Sequence, residues 1–129
     1  MSVNVAIDPG QRVVIVTLTG EIKDADLIEI AAATKAHPLF DPSFSEIVDF
    51  SAVTGGKVST FAVQTLAQRP SIYNRNSKHI VVAPQAHVFG VTRMYQVYAQ
   101  TTRPNMEVVR TLEEARACLS PNKSTSQQS

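Results

Sequence analysis

Three short apolar runs, EIVDF, KHIVVAP and MEVVR, each lead into a stretch whose apolar residues recur at helical spacing. That alternation limits the chain to few folds, because a strand, a helix and a further strand close as a right-handed crossover with the strands parallel. Two earlier runs, VNVAI and VVIVTLTG, flank DPGQ, where Pro9 presets a turn and Gly10 can supply a positive φ. They predict a hairpin. The expected order is strand, strand, helix, strand, helix, strand, helix, strand, helix. This is an α/β single domain with a mostly parallel mixed sheet of about five strands, an N-terminal hairpin and about four covering helices.

The helix limits follow from local chemistry. Asp24 or Asp26 is expected to cap a first helix whose stripe is Leu27, Ile28, Ala31, Ala32 and Ala36, ending before Pro38. HPLFDPSF, with two prolines, reads as a loop. A second helix of about ten residues runs from Ser59 toward Gln68, where Arg69 precedes Pro70 and is pushed out of the helical region. Residues 85–101 form the most apolar helix, with Val88, Val91, Tyr95 and Tyr98 on one face and Phe89, Met94 and Val97 to the side. In the last helix, Thr111 and Glu114 have the spacing of a capping box. Residues 1–120 are expected to be the domain. The tail 121–129, PNKSTSQQS, lacks any hydrophobic residue and is expected to be disordered.

Composition excludes several classes of function. With 43% hydrophobic and 18% charged residues in 129, the chain reads as one ordinary globular domain. Its net charge of +1 favours neither nucleic acid nor an anionic membrane. No window approaches the roughly 18 apolar residues needed to span a bilayer, and no signal peptide is apparent, so no stable membrane insertion and a cytoplasmic location are expected. The single cysteine, Cys118, cannot form an internal disulfide and reads as a structural thiol on the apolar side of the last helix.

The stretch DFSAVTGGKVSTFAVQ invites comparison with a phosphate-binding loop. Such a loop needs glycine, four residues, then glycine, lysine and a hydroxyl residue. Here Ser51 stands in the first glycine's place and Val58 follows Lys57, so the match fails at both. Gly55 and Gly56 read as a strand-to-helix corner, with Ser59 as helix cap. His37, His79 and His87 are scattered, and neither a metal site nor a cofactor is expected. Ser59, His87 and Asp49 lie near strand ends but lack a nucleophile elbow, and Glu113 and Glu114 suit a helix N-terminus better than acid–base catalysis. No enzymatic activity is expected.

Taken in order, VNVAIDPGQRVVIVTLTGEI, LFDPSFSEIVDFSAVT, HVFGVTRMYQVYAQ and MEVVRTLEEARACL resemble the SpoIIAA-like group of the STAS superfamily. Its best-known members are bacterial anti-sigma factor antagonists. The segments look most like a branch of small bacterial proteins that share features with CRAL-TRIO lipid carriers. The resemblance spans residues 3–120 and implies a non-catalytic regulatory or protein-interaction module, with a carrier or sensor of a small apolar or lipid-like ligand as the alternative. In the antagonists an aspartate and a phosphorylatable serine occupy the corner after the corresponding strand. Here Lys57 stands for the acid and Val58 for the serine, with Ser59 and Thr60 adjacent. The resemblance therefore points to Thr54, Gly55, Gly56, Lys57, Ser59 and Thr60 as a switch or partner-binding surface. The apolar helix offers His87, Val88, Val91, Met94, Tyr95 and Tyr98 for an apolar ligand, a protein partner or a second copy in a homodimer, with Arg93 and Arg103 available to an anionic group.

Overall fold

The computed structural model describes residues 2–119. Among them, five strands and four helices alternate: β1 (Ser2–Asp8), β2 (Val13–Ile22), α1 (Asp24–Ala36), β3 (Ser45–Gly56), α2 (Thr60–Gln68), β4 (His79–Val82), α3 (Ala86–Tyr98), β5 (Met106–Val109) and α4 (Leu112–Leu119). The sheet order is β1-β2-β3-β4-β5, antiparallel between β1 and β2 and parallel elsewhere. This is the single-domain α/β layout expected from the alternation. Each crossover from β2 to β5 steps one strand in the same direction, so right-handed connections put α1, α2 and α3 on one face. The packing agrees. Val14, Val16, Leu18, Val48, Phe50 and Val81 meet those helices, while Val13, Ile47, Ile80 and Val82 meet α4 on the other face. The tail 121–129 lies outside the described residues.

Several local expectations shift. In the hairpin turn the left-handed residue is Arg12, at φ 58°, and Gly10 is not one. Arg12 tolerates that conformation because it is held on both sides. Its carbonyl accepts from Ser45 N, and its guanidinium donates to Ser43 Oγ at 2.6 Å. At α1 the N-cap is Lys23, and neither aspartate fills that position. Asp26 Oδ2 accepts from Lys23 N at 2.8 Å, whereas Asp24 reaches a different helix altogether. The buried stripe of α1 is also offset. Asp26 and Thr34 are buried and Ile28, Ala31, Ala32 and Ala36 are exposed, because alanine's small side chain gives little reason to turn inward when Leu27 and Ile30 are available to the core. The helix at 85–101 ends earlier, at Tyr98.

The largest difference is β3. The expected strand EIVDF continues to Gly56, through the residues read as a loop. Beyond Asp49, where β4 ends, the rest of β3 pairs only with β2, across two register shifts. On the vacated side the carbonyls of Phe50 and Val53 accept from Gln85 Nε2 at 3.1 and 2.9 Å. One side chain at the start of α3 thus replaces a missing strand. Gly56, at φ +110°, closes the strand against Ile22, whose carbonyl accepts from Lys57 N. Thr111 and Glu114 cap α4 as their spacing predicts, with Glu114 N donating to Thr111 Oγ1 at 3.0 Å and Thr111 N to Glu114 Oε1 at 3.2 Å. Cys118 is half-buried on α4, and burial, which outweighs nearby Lys78, pushes its thiol pKa up.

Candidate functional site

The corner from Thr54 to Thr60 is built by two helix starts. Ser59 has extended backbone and caps α2, its Oγ accepting from Ala62 N at 3.0 Å. The same hydroxyl donates to Asp24 Oδ2 at 2.9 Å, and Ser59 N donates to Asp24 Oδ1 at 2.8 Å. An acid of α1, distant in sequence, thus stands beside the Ser59 hydroxyl. Thr54, Gly55, Gly56, Lys57, Ser59 and Thr60 are all exposed.

A cavity of about 170 Å³ lies between the sheet and its three covering helices. Val48 and Phe50 of β3, Val81 of β4 and Met106 of β5 form its floor. Leu27 and Ile30 of α1, Val63 and Leu66 of α2, and Val91 and Tyr95 of α3 form its walls. Val91 and Tyr95 come from the face of α3 expected to meet an apolar ligand. A smaller pocket of about 60 Å³ adjoins it, lined in part by Gly55, Gly56, Val58, His87 and Val88. Leu27, Phe50, Val91 and Thr92 line both. The corner and the apolar helix face, separate candidates in sequence, thus back onto two apolar spaces that share lining residues. Met94 and Tyr98 are half-buried outside both, and His87 is exposed on the corner side.

One end of the large cavity is polar, and of its residues the sequence offers only Arg103 to a ligand. Glu46 and His79 are lateral partners in the β3–β4 register, and His79 Nδ1 lies 3.1 Å from Glu46 Oε1. A carboxylate accepts, so Nδ1 carries the proton of this pair. The Tyr73 ring packs edge-on against His79 at 5.0 Å and Phe40 at 5.4 Å. Its hydroxyl is buried and has no hydrogen-bond partner among the described residues. Burial, and then the Glu46 carboxylate beside it, push the Tyr73 pKa upward. Tyr95 is pushed up to about 12, mainly by burial. Both phenols therefore stay neutral donors. Arg103 closes the end, its Nη1 donating to the carbonyls of Ala67 and Arg69 and its guanidinium lying 5.8 Å from the Tyr95 ring centre. Exposed Arg69 and Pro70 form the rim.

A sequence signal for this end did exist. Glu46 alternates with Val48 and Phe50, and His79 with Val81, which puts a carboxylate and an imidazole on the face of the sheet that the helices cover. Among the described residues no group of three or more His, Cys, Asp or Glu is arranged to hold a metal ion, and no helix is long and apolar enough to cross a membrane. The sequence matches no protein-family model and no curated protein.

Proposed function

We propose that the chain is a non-catalytic binding module that holds a small apolar molecule between its sheet and its helical layer, as carrier or sensor. The cavity carries this reading. Its 170 Å³ slightly exceeds the roughly 150 Å³ of an engineered apolar cavity that stays dry and takes up benzene. Its floor and walls come from three strands and three helices, all presenting apolar side chains, a lining typical of a ligand site. A cytoplasmic setting fits a chain whose one thiol has no partner for an internal disulfide. Amide chemical shifts followed during titration with toluene test the reading. Saturable changes at Val63, Val81 and Val91, suppressed in a Val91→Phe variant that fills the space, are expected. Changes that do not saturate, or that survive the filling, would dismiss it.

A second reading, a STAS-like regulatory or interaction module acting through the corner, is favoured by Phe61. This side chain is 78% exposed, one residue beyond Thr60 and four beyond exposed Lys57. A large aromatic on open surface suits a protein partner, including a second copy of the chain. Light scattering is expected to show a larger mass for the wild type than for Phe61→Ser. Equal masses would remove self-association through this face.

A further inference from the structure

The polar end of the cavity narrows the ligand's chemistry, an inference that rests on the binding role proposed above. Four facts bear on it. The Tyr73 hydroxyl is buried, neutral and without a partner, although its ring is fixed by His79 and Phe40. Glu46 lines the same cavity, and its Oε1 accepts from His79. The two groups are neighbours, and the carboxylate already bears on the phenol as an acceptor, although the pair falls short of a fully formed hydrogen bond. Arg103 is committed through Nη1 to backbone carbonyls, and Arg69 stands at the exposed rim. An acceptor and a donor therefore sit side by side at the end of an apolar space. A ligand carboxylate placed there would meet Glu46 as a like charge, and an ammonium would lack any use for Tyr73's proton. A hydroxyl satisfies both, donating its proton to one group and accepting from the other. We propose that the cavity takes a small uncharged ligand with an apolar body about the size of one ring and a single hydroxyl group, bound between Glu46 and Tyr73.

Matched one-ring probes test this by calorimetry on the full chain: p-cresol, toluene, benzoate and benzylamine. A site built to pair a hydroxyl discriminates strongly against the analogue that lacks it, so p-cresol is expected to bind at least about tenfold more tightly than toluene. Tyr73→Phe and Glu46→Gln are expected to bring that ratio close to one while leaving toluene binding intact. Glutamine keeps an oxygen for His79 Nδ1, and phenylalanine keeps the ring contacts, so both variants are expected to fold, with circular dichroism as the check. Equal binding of p-cresol and toluene, or tighter binding of benzoate or benzylamine, would overturn the hydroxyl assignment and leave the apolar cavity standing. Failure of all four probes to bind would overturn the binding role as well.

Discussion

The Tyr73 hydroxyl should make the empty protein less stable than a variant without it. A buried polar group with no partner loses its bonds to water and regains none, which costs about 1–3 kcal/mol. Tyr73→Phe removes that group and keeps the ring that packs on Phe40 and His79, so no cavity is added. The expected effect is a gain of about 1 kcal/mol, the lower part of the range because the neighbouring Glu46 carboxylate offsets part of the penalty. For a fold of this length that is a rise in melting temperature of roughly 3–5 °C. Urea titration by circular dichroism should show a higher midpoint at an unchanged slope. A loss of about 1 kcal/mol or more would mean that the hydroxyl already donates within the empty protein. The hydroxyl assignment would then lose its main support.

Other perturbations test the corner, the turn and the buried phenols. Ser59→Ala removes both the α2 cap and the link to Asp24, and is expected to lower stability by about 1–2 kcal/mol in urea titration. A double-mutant cycle with Asp24→Ala should return a coupling of about 0.5 kcal/mol or more, and strict additivity would show the link to be idle. Gly56→Ala is expected to cost at least about 2 kcal/mol, because a Cβ at φ +110° would collide with the Ile22 backbone carbonyl, and an unchanged melting temperature would contradict that geometry. In an ultraviolet titration the native protein's tyrosinate signal should lag the unfolded chain's. Unfolded tyrosine ionises near 10 and Tyr95 near 12, so the unfolded state binds fewer protons in between and stability falls as pH rises from about 10 to about 12. Coincident native and unfolded curves would show that Tyr95 is not buried as described.

What the sequence made legible was whatever local chemistry decides. Buried parallel strands read as apolar runs, and Ser59 and Thr111 cap helices through neighbours three residues away, so these features appear in any short window. The end of β3 could not be read this way. Ser51, Ala52, Thr54 and Gly55 are exposed and lack strand patterning, and the group that satisfies the neighbouring carbonyls is Gln85, 32 residues after Val53. The α1 stripe was misplaced because five apolar positions were weighted alike, three of them alanines with little area to bury. The polar end of the cavity draws Glu46, Tyr73, His79 and Arg103 from four separate segments. Only the register that sets Glu46 beside His79, 33 residues on, brings the first pair together.

The same architecture joins the interior to the surface. Leu27 on α1, Phe50 on β3, and Val91 and Thr92 on α3 line both the large cavity and the pocket behind the corner. Packed interiors do not deform smoothly, so a ligand exceeding the available space must part helices and cannot simply compress them. Where α1 meets α2, the exposed link is the pair of bonds from Ser59 to Asp24. Each is a hydrogen bond to a carboxylate in contact with water, where little is lost on breaking it. By contrast, the far end is held by Thr102 and Arg103 against the last carbonyls of α2, with Thr102 Oγ1 donating to Ala67 O at 2.6 Å. Spreading by an oversized ligand should therefore begin at the corner and leave the α2 terminus in place. Were an occupant of that size bound, the displacement would fall on the corner segment that carries Lys57, Ser59, Thr60 and Phe61.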